Sequence, residues 1–160
     1  MRVRDDKSFA QHHPTLGYAY RPGSDLELAA PAGRRYRLRV NAAGIRSDRE
    51  YAEQKPPGVF RIIALGDSFA AGQFVDNALR FSEILERRHE NLEVINLALD
   101  GTGTDQQLLA YEEFAPRFEH DLVLILPFLQ NIRRNLLEAR ESFARNRKNT
   151  APSRQSPAQR

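Results

Sequence analysis

The sequence predicts an α/β fold: a parallel sheet of about three strands, layered between helices, with a β-hairpin region ahead of it. Three observations predict this. Short apolar runs recur through the middle of the chain as Phe60-Arg-Ile-Ile-Ala-Leu65, Leu92-Glu-Val-Ile-Asn-Leu97 and Asp121-Leu-Val-Leu-Ile-Leu-Pro127. The segments between them carry apolar residues at helical spacing. A strand–helix–strand–helix–strand alternation of this kind builds βαβ units and therefore a parallel sheet with helices on its faces. The third observation is a strict alternation at residues 35–40, where Tyr36, Leu38 and Val40 interleave with Arg35, Arg37 and Arg39. Period-2 patterning predicts a half-buried strand with a cationic outer face.

The elements follow in order. Leu26, Leu28 and Ala30 alternate like 35–40, and Pro31-Ala-Gly33 between them has turn chemistry, so a hairpin is expected within an N-terminal extension spanning residues 1–59. His12 and His13 fall in what reads as a flexible terminus. Residues 54–58, with Pro56-Pro57, read as a linker. Residues 60–145 form the α/β domain. Its first helix covers 80–89, where Phe81, Ile84 and Leu85 share a face. Its second starts at Thr104-Asp-Gln-Gln107, which fits a capping box with Thr104 as N-cap, and Leu108, Tyr111 and Ala115 supply the apolar stripe. Leu136, Leu137 and Phe143 mark a further helix. Residues 146–160 are polar, Pro- and Ser-rich and without a bulky apolar side chain, so they are expected to be disordered.

Composition narrows the chemistry. The 160 residues include no Cys, which excludes disulfides, thiolate metal sites and Cys nucleophiles. The longest apolar stretch is far short of the ~20 residues of a spanning helix, and no signal-peptide pattern opens the chain, so a cytoplasmic protein without a membrane span is expected. Lys and Arg total 24 against 21 Asp and Glu. The excess sits at one end: residues 133–160 hold eight basic and two acidic residues (8 − 2 = +6), which leaves −3 on the rest of a chain whose net charge is +3. A slightly acidic body argues against a nucleic-acid face, and no nucleic-acid partner is expected.

In parallel α/β sheets, functional groups gather at the carboxyl ends of the strands. There the sequence places Gly66-Asp-Ser-Phe69, Leu99-Asp-Gly-Thr-Gly103 and Phe128-Leu-Gln-Asn131. A serine hydroxyl beside backbone N–H groups and a carboxamide supplies a nucleophile and an oxyanion hole for acyl transfer. Taken singly, each segment is better explained by a helix cap or a turn; three at successive strand ends point to a site. No phosphate loop occurs, and Gly66-x-Ser68-x-Ala70 lacks the last glycine of a nucleophile elbow.

These segments resemble the SGNH (GDSL-type) hydrolases. Ile62-Ile-Ala-Leu-Gly-Asp-Ser-Phe69 is similar to the first block of that family, Asn96-Leu-Ala-Leu-Asp-Gly-Thr-Gly-Thr-Asp-Gln-Gln107 to the second, and Leu126-Pro-Phe-Leu-Gln-Asn-Ile-Arg-Arg-Asn135 to the third. Asn41-Ala-Ala-Gly-Ile-Arg46 and Gly58-Val-Phe-Arg61 are similar to the lead-in of some members. The resemblance implies a three-layer flavodoxin-like fold and ester hydrolysis through an acyl-serine intermediate. Ser68 would be the nucleophile, with the Ser68 and Gly101 N–H groups and the Asn131 side chain as oxyanion donors. No metal or organic cofactor is implied, and the substrate would be a small-molecule, carbohydrate or lipid ester.

The sequence departs from the family in two places. Leu129 and Ile132 replace the Gly and Asp of Gly-x-Asn-Asp, so either Asn131 or, one register away, Gln130 fills the third-block position. The larger departure is the absence of the family's Asp-x-x-His, which supplies the general base. The chain's four histidines are His12, His13, His89 and His120, and none has Asp three residues before it. Glu86-Arg-Arg-His89 comes nearest and reads as a solvated pair on a helix. The chain therefore reads as the N-terminal portion of such an enzyme with impaired activity or, alternatively, as a non-catalytic remnant or binding module.

Overall fold

Ile63 and Leu65 on one face of strand β5 (Phe60–Gly66), and Ala64 and Gly66 on the other, are all buried, so this strand is sandwiched on both sides. The computed structural model describes residues 9–135. Within them β5 is the centre of a parallel sheet in the order β6-β5-β7, with β6 spanning Leu92–Asn96 and β7 spanning Leu122–Leu126. The register sets Ile63 beside Ile95 on one side and Val123 on the other. All three apolar runs read from the sequence are thus strands, and the fold is mixed α/β.

Two antiparallel hairpins precede the sheet: β1 (Ala10–His13) with β2 (Gly17–Tyr20), and β3 (Asp25–Ala29) with β4 (Arg35–Arg39). The second is the expected one. Leu26 pairs with Leu38 and Leu28 with Tyr36, while Asp25 and Glu27 on the outer face meet the arginines of β4. The first hairpin corrects the reading of a flexible terminus at His12 and His13. Gly17, at φ +80°, lies just past the turn, and its lack of a side chain hides the alternation that would reveal a strand.

The hairpins share a core with the α/β part. Leu16, Tyr20, Leu28, Tyr36, Leu38 and Val40 pack with Leu99 and Ala110. Helix α3 (Thr104–Phe114) covers one face of the sheet, where Tyr111, Phe114, Ala115 and Phe118 pack on Ile63, Leu65 and Ile95. On the other face lie α1 (Ser68–Ala71) and α2 (Phe81–Arg88), joined there by Ala98 and Leu126. A last short helix, α4, spans Asn131–Arg134. The expected helix at 136–145 and the polar tail at 146–160 lie outside the described residues.

Two details of α3 differ from expectation. Its N-cap is Gly103, not Thr104, and Gln106 rather than Gln107 reaches back, its Oε1 accepting from the Gly103 N–H at 3.2 Å. Thr104 is engaged by Asn135 instead, whose Oδ1 accepts from the Thr104 N–H at 2.8 Å and whose Nδ2 donates to the Thr104 hydroxyl at 2.7 Å. A cap supplied from 31 residues away leaves no local sequence signal. Leu108, expected on the apolar stripe, is 57% exposed, while Gln107 and Ala110 are buried. No helix among the described residues is long and apolar enough to cross a membrane.

Candidate active site

The serine loop follows directly from β5, and its first residue explains why it begins with glycine. A Cβ on Gly66 would sit 2.4 Å from the Ala70 Cβ and 3.2 Å from the Leu126 carbonyl, so the strand end, α1 and β7 can close only around a hydrogen. Asp67 then caps α1: its Oδ1 accepts from the Phe69 N–H at 3.0 Å, and the side chain is almost fully buried. Ser68 opens the helix and is partly exposed, and its hydroxyl makes no hydrogen bond among the described residues.

All three strands are parallel, so the loops that follow β5, β6 and β7 lie at the same edge of the sheet, and side chains tie them together. The Thr102 hydroxyl donates to the Leu99 carbonyl at 2.9 Å and to the Gly66 carbonyl at 3.3 Å, which fastens the second loop to the first. Asn131 donates from Nδ2 to the Thr102 carbonyl at 2.8 Å and accepts at Oδ1 from the Phe128 N–H at 2.8 Å. Arg134 donates to the Asp67 carboxylate at 2.8 Å and to the Thr102 carbonyl at 3.2 Å. Ser68, Gly101 and Asn131 therefore sit in three interlocked loops.

They are not equally accessible. Gly101 is exposed, with φ +74°, a left-handed conformation that favours glycine. Asn131 is wholly buried, its side chain spent on joining the second and third loops, whereas Gln130 is exposed. The residue singled out as an oxyanion donor thus acts in this structure as a brace.

The lead-in read from the sequence has a clear physical role. Arg46 is 2% exposed, and its guanidinium donates to the Ala71 and Gly72 carbonyls at 2.9 Å each, to the Val75 carbonyl at 2.5 Å and to Asn77 Oδ1 at 2.9 Å. A single buried cation gathers the acceptors at the end of α1 and so fixes the loop that carries Ser68. Within that loop Phe74 is held at φ +68°, an uncommon conformation for a bulky residue, with its ring edge-on to Tyr36. Arg46 and Arg134 both fall in segments singled out in the sequence, but their partners lie 25 or more residues away, so no local pattern shows what they bind.

No histidine hydrogen-bonds Ser68 among the described residues. His13 accepts from the Leu16 N–H at 3.3 Å and packs on Phe114, His120 contacts Tyr111 and the Phe118 carbonyl, and His12 is exposed on β1. His89 is exposed at the end of α2. The Glu86–His89 pairing is corrected: Glu86 is largely buried, accepting from Arg49 and from the Val94 N–H at 2.6 Å each. Burial nonetheless raises its carboxyl above the ordinary range.

A polar cluster lies behind the second loop. Asp100 is pushed up to about 6, chiefly by burial, against the pull of Arg46 and Arg80. Its Oδ1 and the hydroxyls of Tyr18 and Tyr20 are buried without a hydrogen-bond partner among the described residues. Both tyrosines are held far above their usual range by burial and by Asp100, so they remain protonated. Among the described residues no cluster of His, Asp or Glu could hold a metal ion. No family model and no curated protein matches this chain.

Proposed function

We propose that this chain carries an acyl-transfer site of the SGNH type, with Ser68 as nucleophile and the N–H groups of Ser68 and Gly101 as oxyanion donors. The observation that carries the reading is the pairing of a partly exposed Ser68 hydroxyl, unengaged among the described residues, with an exposed left-handed Gly101 at one sheet edge. The strand order supports it further. Numbering the parallel strands along the chain, β6-β5-β7 is 2-1-3, which is how the flavodoxin-like order 2-1-3-4-5 begins.

In the step proposed, the Ser68 oxygen bonds to the carbonyl carbon of an ester and the bond to the alcohol oxygen breaks. The serine proton leaves with the alcohol, and water later releases the acid and restores the hydroxyl. Turnover should be slow, because general acid–base help is worth roughly 10²–10⁴-fold and no base meets Ser68 among the described residues. A fluorophosphonate tests the nucleophile directly, and a short-chain aryl ester tests turnover. Stoichiometric labelling that disappears in Ser68→Ala, with weak aryl-ester hydrolysis, is the expected result. An unlabelled protein would overturn the reading.

A second reading, a non-catalytic scaffold or binding module, is favoured by one observation: the buried Asn131, whose amide already serves the Thr102 carbonyl. Labelling at Ser68 without any turnover would support it.

A further inference from the structure

The two most exposed large apolar side chains among the described residues lie on the loops that follow β5 and β7, at the sheet edge that carries Ser68. Phe69, the next residue on α1, is 74% exposed, and Leu129, two positions before Asn131, is 82% exposed. Between them Phe128 is half-buried, its ring centroid 5.0 Å from that of Phe69. Other exposed apolar residues, such as Leu79 on the loop before α2 and Leu108 on the outer face of α3, belong to different elements. A contiguous apolar surface at the mouth of a site marks a ligand contact more often than chance exposure does. Arg134 and Asn131 fix the loop beneath it, so the surface is built on a braced edge.

We propose that Phe69, Phe128 and Leu129 form a ledge that receives the apolar acyl chain of the ester, so that the substrate class is esters of hydrophobic acids and not acetyl esters. The inference rests on the acyl-serine reading above. In that reading the carbonyl oxygen faces the N–H groups of Ser68 and Gly101, and two substituents remain on the reacting carbon. The alcohol must depart and water must take its place, so the position it occupies has to stay open to solvent. The acyl chain stays through both steps. It is the group that gains from a fixed apolar surface, and each methylene laid on such a surface strengthens binding by up to about fourfold.

Two measurements separate the ledge from the nucleophile. The first compares labelling rates of a decyl and an ethyl fluorophosphonate, read as the mass of the Ser68 adduct. The decyl-to-ethyl ratio is expected to fall about tenfold in the double variant Phe69→Ser, Leu129→Ser and to hold in Leu108→Ser. The second uses dansyl-undecanoate, whose fluorescence reports contact with an apolar surface. It is titrated into Ser68→Ala with and without the ledge substitutions, and binding should weaken about tenfold when they are present. The substituted positions Phe69, Leu129 and Leu108 are all exposed, so the variants should keep the parent melting temperature.

An unchanged decyl-to-ethyl ratio with unchanged dansyl-undecanoate binding would overturn the ledge and leave Ser68 standing. Failure of both phosphonates to label, with dansyl-undecanoate binding still dependent on Phe69 and Leu129, would overturn the acyl-serine reading and leave an apolar-chain surface. A protein that binds no dansyl-undecanoate has no such ledge.

Discussion

Strands β6 and β7 flank the same central strand, and their apolarity and burial run in opposite directions. Leu-Val-Leu-Ile-Leu in β7 is the more apolar, yet Leu122 is 45% exposed and Ile125 56% exposed. Leu-Glu-Val-Ile-Asn in β6 contains a charge and an amide, yet Val94, Ile95 and Asn96 are buried. The difference lies in what the rest of the chain supplies. Helix α2 packs along β6, the Tyr51 hydroxyl lies 3.5 Å from the Val94 carbonyl, and Asn96 is absorbed by the Ala70 carbonyl and Ser82. Neither strand has a further strand on its outer edge among the described residues, so what β6 has and β7 lacks is a helix packed along it. Hydrophobicity states what a strand can bury; topology decides what it does bury.

The two arginines that hold the serine loop repeat this contrast. Arg46, from the N-terminal segment, is buried and fully engaged, whereas the Arg134 side chain, from behind β7, is 26% exposed. Arg46→Met should be the most costly change of those considered, at about 3–5 kcal/mol in urea unfolding, because four acceptors lose a charged donor. Arg134→Met should cost less, about 1–2 kcal/mol, because the arginine is partly solvated and Asp67 keeps its bond from the Phe69 N–H. Equal costs would break the contrast.

The polar cluster behind Gly101 sharpens it through pH. Asp100 binds its proton more tightly folded, near pH 6, than at its ordinary value of 3.8. A carboxyl raised in this way destabilises the fold as it ionises, so its contribution is most favourable below about pH 4, declines as pH rises toward 6 and is level above. The full decline is at most about 3 kcal/mol. Asp100→Asn should remove it, so the gap between variant and wild type should widen between pH 4 and 6.5. Exposed Asp25 and Asp121, held low by Arg37 and Lys55, act at lower pH and cancel in the difference. A constant gap would show that Asp100 is solvated.

How much of this was legible in the sequence depended on the range of each interaction. The three strands and the β3–β4 hairpin follow from period and from the nearest turn, so Leu26, Leu28, Tyr36 and Leu38 fall where alternation puts them. The parallel sheet follows from the strand–helix order. The differences arose where distant residues intervened: Asn135 engages Thr104, and the β1–β2 hairpin draws on a shared core with Leu99 and Ala110. The convergence of Ser68, Gly101 and Asn131 on one edge was legible because parallel strands deliver their ends together. Their unequal exposure was not, because it is set by side-chain bonds across loops.

The smallest expected effect tests the opening contrast most directly. Ile125 sits on the less covered of the two edge strands, more than half exposed, so it contributes little burial to the folded state. Ile125→Lys should change stability by less than about 0.5 kcal/mol, as surface substitutions do. Ile95→Ala, on the covered strand at 0% exposure, should cost about 2–4 kcal/mol through lost contacts and the space left behind. The lysine should have a second consequence. An apolar edge strand with no pairing partner is a template for another chain, and charge on such an edge suppresses that pairing. Light scattering at rising protein concentration should therefore be lower for Ile125→Lys than for wild type, while the urea midpoints coincide. If Ile125→Lys instead destabilises as strongly as Ile95→Ala, the outer side of β7 is covered in solution, and the two strands are equivalent after all.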